Sequence, residues 1–387
     1  MANGKKTVWV LGTGFSKSLG GPLLADLLSH RGRAFVGANF KEVYSLSVYN
    51  AFWTHLKDGP LNDRQPVYWD HAEEYLDFLS TAASSTSSPR RQTFREIMME
   101  VADKADRDVA EFWERVQCCV AAECFFTRTA DPASEAWQPY FQWASQLREQ
   151  DTIISFNYDL VLETMGAFKP KSKKDFLWPT PKFGIESVKV RFEEDSEQGE
   201  AGVIPIIKLH GSVNWTNNGT EVKVLSDPEA FLKKRGPPLI ASPGPQKYEL
   251  QRKTFKPFWS AAVKALQNAD VIVFLGYRFP PSDAESRRVI LNAIRNNNRD
   301  KGEHYLRVHT VLGPNVNHEH SVRLQHLLRQ TLNGAGRGEF IALNELNPAA
   351  GRTFSVSPQP LYVEDFFTVV QDRELYGNEA IVTPAQR

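Results

Sequence analysis

The stretch Thr7–Ser16, TVWVLGTGFS, decides how the rest of the chain is read. Thr7-Val8-Trp9-Val10-Leu11 is a short apolar run of β-branched and aromatic residues, the composition of a strand buried on both faces. Gly12-Thr13-Gly14 follows at once. A strand ending in Gly-x-Gly suits a tight turn whose backbone approaches a pyrophosphate, with the next N–H groups offered to the anion. The third glycine of the dinucleotide fingerprint is missing, because position 17 is Lys. Where an acidic residue would complete a hydride-transfer site, the chain reads Arg31-Gly32-Arg33. The ordinary NAD-dehydrogenase pattern therefore fails, and a strand–helix turn with no ligand stays open at this point.

Composition bounds the rest. A chain of 387 residues can bury one large core or two moderate ones. With 41% apolar and 24% charged residues it reads as globular rather than disordered. Lys+Arg and Asp+Glu both total 46, so no global charge draws it to nucleic acid or to an anionic membrane, and direct nucleic-acid binding is not expected. Cys118, Cys119 and Cys124 lie in one helical pattern with no CxxC pair, so no metal is expected. Reduced thiols fit a cytoplasmic location. MANGKK runs straight into the first strand without an apolar leader, and no run of about 18 apolar residues marks a membrane span.

Beyond the glycine turn, Leu19, Leu23, Leu24, Leu27 and Leu28 predict a helix starting near Pro22. Residues 41–150 read as a helical insertion. Helices are predicted there at Glu42–Leu56 and Ala72–Ala83, with a linker at Ser84–Pro89. One long helix over 91–126 carries Phe94, Ile97, Val101, Val109, Phe112, Trp113 and Val116, and another covers Trp137–Arg148. Strands follow at Thr152–Phe156, Val203–Leu209, Asp270–Leu275 and Tyr305–Leu312. They alternate with helices at Leu160–Met165, Phe255–Asn268, Asp283–Asn297 and Glu319–Leu332. A hairpin is predicted at Ser187–Phe192, a short strand at Phe340–Leu343 and a helix at Val363–Gln371. This alternation implies an α/β fold: a Rossmann-like parallel sheet with helices on both faces, formed by 1–40 and 151–345 around the insertion. Residues 346–387 read as a C-terminal extension.

Ligands of such sheets sit at the carboxyl ends of the strands. Here those ends carry Gly12, Thr13, Gly14, Phe15 and Ser16, then Asn157 and Asp159, then His210, then Gly276, Tyr277 and Arg278, and last Asn315. His318, His320 and His326 near a helix start read as surface residues rather than metal ligands.

With those residues laid out, the chain resembles the SIR2-like family, the bacterial relatives of sirtuins. Gly12-Thr13-Gly14-Phe15-Ser16 is similar to the sirtuin Gly-Ala-Gly-x-Ser turn. Ser155-Phe156-Asn157-Tyr158-Asp159 is similar to Thr-x-Asn-x-Asp, and Lys208-Leu209-His210-Gly211-Ser212-Val213-Asn214-Trp215 to the His-Gly segment in its bacterial defence form. Gly276-Tyr277-Arg278-Phe279-Pro280 through Asp283 resembles Gly-Tyr-Ser-Leu-Pro-x-x-Asp, with Arg278 in place of serine. The four-cysteine zinc ribbon of deacetylating sirtuins and their Pro-Asp-Phe-Arg segment are missing.

The resemblance implies a NAD+ glycohydrolase that releases nicotinamide and ADP-ribose as an abortive-infection effector of antiphage defence. NAD would be its substrate and no metal would take part. His210 would be the base and Asn157 would orient the ribose hydroxyls or the attacking water. Gly12, Gly14 and Ser16 would grip the diphosphate with help from Arg278. Asp159 would contact the carboxamide and Phe15 would cover the nicotinamide. The alternatives are an NAD or ADP-ribose binding module without turnover, and a NAD-dependent protein deacylase. A freely active NADase would kill its host, so control is expected through a homo-oligomer or through a co-encoded sensor or helicase-like ATPase subunit.

Overall fold

The computed structural model describes residues 5–54, 71–84, 89–101, 108–171, 177–185, 190–192, 203–217, 221–234, 236–280, 283–297, 306–333 and 354–370. The chain opens with β1 (Thr7–Leu11) and then builds helices α1 (His30–Asn39), α2 (Leu46–Thr54), α3 (Ala72–Ser84), α4 (Pro89–Val101), α5 (Val109–Cys124) and α6 (Gln138–Ala144). Next come β2 (Thr152–Ser155), α7 (Val161–Ala167), β3 (Phe183–Ile185), β4 (Val190–Phe192), β5 (Ile204–Lys208), β6 (Trp215–Asn217) and β7 (Val222–Val224). Helices α8 (Pro228–Lys234), α9 (Pro245–Arg252) and α10 (Lys256–Gln267) lead into β8 (Val271–Leu275) and α11 (Ala284–Arg295). The rest is β9 (Leu306–Val311), α12 (Glu319–Asn333), β10 (Phe354–Gln359) and α13 (Val363–Val369).

The main sheet has seven strands in the order β10-β9-β8-β1-β2-β5-β3, and every neighbouring pair is parallel. β1 lies in the middle. The chain builds outward through β2 and β5, then returns to the other side of β1 with β8 and continues through β9. That reversal leaves a crevice at the strand ends beside β1. Strand alternation splits the core in two. Val8, Val10, Ile154, Ile207, Ile272 and Phe274 pack with α10, α11 and α12 on one face. Trp9, Leu11, Ile153, Ile206, Val273 and Leu275 pack with α6, α7 and α13 on the other. Helices α1–α5 bury a third core of their own, which also takes in Leu160, Val213 and Ile240. A small sheet pairs β4 parallel and β6 antiparallel with β7.

The parallel sheet with helices on both faces is as expected, with local differences. No α-helix starts at Pro22. A 3₁₀ turn at Leu24–Asp26 is followed by Leu28 at a positive φ of 58°, and the Ser29 hydroxyl caps α1 by accepting from the Gly32 N–H. The apolar stripe over 91–126 belongs to two helices, because Asp108 caps a fresh start by accepting from the Ala110 N–H at 2.7 Å. The helix expected over Trp137–Arg148 is the shorter α6, entered through a 3₁₀ turn that ends on Trp137. β3 and β10 join the main sheet from stretches read as polar excursion and tail. The expected strand at 340–343 lies outside the described residues, as does part of the hairpin at 187–192, whose described portion is β4.

Candidate functional site

A cavity of about 770 Å³ opens at the carboxyl ends of β1, β2, β5, β8 and β9. The size falls in the roughly 300–1,000 Å³ range of small-molecule sites. Its walls include Gly12, Thr13 and Gly14 after β1, Asn157 and Asp159 after β2, His210 after β5, Gly276, Tyr277 and Arg278 after β8, and Asn315 after β9. Residues expected from five separate stretches are thus brought into one cavity. Phe15 and Ser16 stand behind that wall.

The glycine turn is held by backbone contacts. Gly12 N–H donates to Leu275 O at 2.9 Å and Gly14 N–H to Gly276 O at 3.2 Å. Phe15 and Ser16 N–H groups close back on Gly12 O and Thr13 O. A Cβ at Gly12 would lie 2.6 Å from Gly276 O, and one at Gly14 2.7 Å from Gly276 Cα. Both glycines are therefore needed because two turns touch, and their N–H groups are committed inside the protein rather than offered to a diphosphate. Phe15 also departs from expectation. Its ring is buried against Tyr140, Trp143 and Phe367 in the core beneath the sheet, so it does not cover the cavity.

The other wall is held by side chains. Asn157 Nδ2 donates to Gly12 O at 3.0 Å and to Ser16 Oγ at 3.1 Å. A carbonyl only accepts, so these partners fix the amide orientation. Oδ1 is then left buried without a hydrogen-bond partner, on a residue 3% exposed. Ser16 Oγ donates to Asp159 Oδ2 at 2.7 Å, and Asp159 Oδ1 accepts from the Val161 N–H at 3.1 Å. Burial raises the Asp159 carboxyl above its usual range, against the opposing pull of Lys208, Ser16 and Val161. Lys208 is 1% exposed and donates to Asp159 O at 2.6 Å, Glu163 Oε1 at 2.8 Å and Ser212 Oγ at 2.7 Å. It ties the turn after β2 to the turn after β5.

His210 packs edge-on against Phe156, with ring centroids 4.9 Å apart. Burial, and then the nearby Lys247 charge, holds its pKa well below the ordinary histidine range, opposed by a backbone contact with Phe156. The imidazole is therefore neutral at pH 7 and able to accept a proton. Its Nε2 is 3.7 Å from Asp283 Oδ1. Tyr277 stacks on Phe156 at 3.9 Å and donates its hydroxyl to Asp283 Oδ2 at 2.9 Å, so it builds the floor rather than reaching for a ligand. Arg278 is exposed at the rim. Asn315 Oδ1 accepts from the Asn317 N–H at 3.1 Å. Among the described residues no group of three or more His, Cys, Asp or Glu could hold a metal, and the three cysteines are free thiols along α5. No helix among them is long and apolar enough to cross a membrane.

Residues 151–328 match the SIR2-like domain. The match takes in β2, β5, β8 and β9, hence Asn157, Asp159, His210, Tyr277, Arg278 and Asn315. β1 lies outside the matched segment in sequence, yet sits between β2 and β8 of that segment in the sheet. No curated protein matches the chain. A solved structure concerned with the mechanism and regulation of Sir2 enzymes is 14% identical, with 87% of this chain and 94% of that one covered and a TM-score of 0.28.

Sequence reasoning did not single out Glu73, Lys208, Lys247 or Asp283 as site residues. Lys208 and Asp283 sit inside the stretches that carried the resemblance, the first at the end of β5 and the second at the start of α11. Lys247 lies two residues into the helix that Pro245 begins, and nothing in the sequence marks a lysine as buried.

Proposed function

We propose that the protein is a NAD+ glycohydrolase. The observation that carries this reading is that Asn157, whose buried Oδ1 has no hydrogen-bond partner, lines the same cavity as the neutral His210, in the segment that matches the SIR2-like domain. Loss of nicotinamide builds positive charge at the ribose C1′, so a catalyst must fix the dinucleotide and activate an oxygen nucleophile at the opposite face. Asn157 Oδ1 is an acceptor with no donor yet, which suits it to orient a ribose hydroxyl or a water. His210 takes the proton that this oxygen gives up. Arg278, at the exposed rim, meets the diphosphate charge. With their N–H groups committed inside the protein, Gly12 and Gly14 act on the ligand by shape.

As a SIR2-like NADase the protein would deplete cellular NAD during infection, as an abortive-infection effector of antiphage defence. Control would then come from assembly, with further copies of itself or with a co-encoded sensor or ATPase subunit. Nicotinamide release from NAD+ is measured with the full chain, alone and with the products of neighbouring genes. His210→Ala and Asn157→Ala are each expected to lower it by about 10³-fold. Sustained turnover by both variants overturns the assignment. Calorimetric binding of NAD+ with no nicotinamide released under any of these conditions supports a binding module instead.

A further inference from the structure

We propose that Lys247 and Asp283 form a positioning pair for His210, and that the helical layer holds this pair in place. The inference rests on His210 being the base of the proposed reaction. Asp283 stands at the entrance to α11 and is 3% exposed. Its Oδ1 is touched by Lys247 Nζ and lies 3.7 Å from His210 Nε2, while its Oδ2 accepts from the Tyr277 hydroxyl. Ser286 Oγ lies 3.5 Å from the same Nε2. Ser286 Oγ is at the limit of hydrogen-bond distance and Asp283 Oδ1 just beyond it, a spacing that in many sites tightens only when the ligand is bound.

The two charges act on the imidazole in opposite senses. When His210 accepts a proton, the O–H bond of a ligand hydroxyl or water breaks, its electron pair stays on oxygen, and a new N–H forms on the ring. The Asp283 carboxylate then faces an imidazolium and stabilises it. Lys247, in contact with that carboxylate, opposes a proton on His210 beforehand. Burial lowers Lys247 to about 7, with Glu73 raising it again. Titratable groups that line the cavity with His210 include Lys247, Asp283, Tyr277, Tyr158, Glu73, His71 and Asp159.

Lys247 owes its place to helices outside the sheet. Gly244, at φ +112°, precedes α9, and a Cβ there would lie 2.5 Å from Ser80 Cβ on α3. Trp113 Nε1 on α5 donates to Gln246 Oε1 at 3.0 Å, one residue before Lys247. Glu73, on α3, lines the same cavity. The turn carrying Lys247 is thus docked on α3 and α5, which makes the helical layer a structural partner of the site.

The test is an NMR titration of the His210 imidazole in the full chain, with its signal assigned by loss in His210→Gln. Lys247→Met leaves the carboxylate alone beside the ring and is expected to raise the midpoint by about one pH unit or more. Asp283→Asn leaves the cation alone and is expected to lower the midpoint below that of the wild type. Lys247→Met/Asp283→Asn removes a net-neutral pair and should return close to the wild type. Lys247→Arg keeps the charge and should also stay there. An identical midpoint in Lys247→Met and wild type overturns the proposal. Should Lys247→Met fail to fold, the double variant is compared with Asp283→Asn, and equal midpoints in those two overturn it as well. In active protein, the acid limb of nicotinamide release should move with the NMR midpoint. Shifted midpoints without any nicotinamide release would leave the pair standing and count against the hydrolase reading alone.

Discussion

The ends of β1 and β8 are held backbone to backbone, whereas the ends of β2 and β5 are held by side chains. On the first wall Gly12, Gly14 and Gly276 bring two turns into contact, and the N–H groups of Gly12 and Gly14 find carbonyl partners across the gap. On the second, Lys208, Ser16, Asn157 and Asp159 form a buried network that leaves an acceptor, Asn157 Oδ1, without a partner. A glycine turn looks like a phosphate cradle in sequence. Here its glycines are explained by the contact between turns, and the proposed chemistry falls on the wall where buried polar groups are left incomplete. Satisfied groups stabilise the fold; unsatisfied or desolvated ones have something left to offer a ligand.

The largest effect expected from this contrast is at Gly276. Its φ of +63° is costly for any other residue, and a Cβ would lie 2.4 Å from Gly14 Cα and 2.5 Å from Phe15 N. Strain and overpacking together put the loss for Gly276→Ala at about 3 kcal/mol or more. Urea unfolding of the variant measures it. A variant that folds normally but loses NAD+ affinity would break the contrast, since the glycine would then be serving the ligand after all.

Lys208 tests the second wall. Replacing it by Met removes three hydrogen bonds and leaves the Glu163 carboxylate, the Ser212 hydroxyl and the Asp159 carbonyl short of a partner. Breaking such a set costs about 2–3 kcal/mol. Because Lys208 joins the turns that carry Asp159 and His210, turnover per folded molecule is expected to fall as well. Stability and nicotinamide release measured on the same preparations separate the two effects. A stability loss with unchanged turnover would mean that the two turns hold their places without the lysine.

How far these walls were legible follows from what each is made of. The buried strands β1, β2, β5, β8 and β9 were readable as apolar runs ending in glycine, amide or histidine, and their alternation with helices gave the parallel sheet. Asn157 and His210 were readable because they stand directly after such runs. The commitment of the Gly12 and Gly14 N–H groups was not, since it depends on β8 lying beside β1, a neighbour far away in sequence. Lys247 and Glu73 were not legible either. Nothing local distinguishes a lysine that turns into a cavity from one that turns to water, and both reach this cavity through the packing of α3, α5 and α9. The break before α5 was masked because the apolar stripe keeps its spacing on both sides of it, while Asp108 as a capping residue gave the local sign.

Phe15 provides the smallest effect and the sharpest question about the first wall. It directly follows Gly14, where the resemblance would have it cover a nicotinamide, yet its ring lies edge-on to Tyr140 at 5.2 Å and to Trp143 at 5.6 Å beneath the sheet. Phe15→Leu keeps an apolar side chain there and loses these aromatic contacts and some volume, at a cost of about 1 kcal/mol. If the ring serves only the core, the KM for NAD+ and the rate of nicotinamide release should stay within about twofold of the wild type while the urea midpoint falls. A rise in KM of about tenfold, with the midpoint unchanged, would place the ring over the ligand during turnover. The turn between Gly12 and Ser16 would then have to rearrange on binding. Since Gly14 N–H and Asn157 Nδ2 both hold that turn in its present form, the same rearrangement would free the Gly14 donor that is now spent on Gly276, and the two walls would differ only until the ligand arrives.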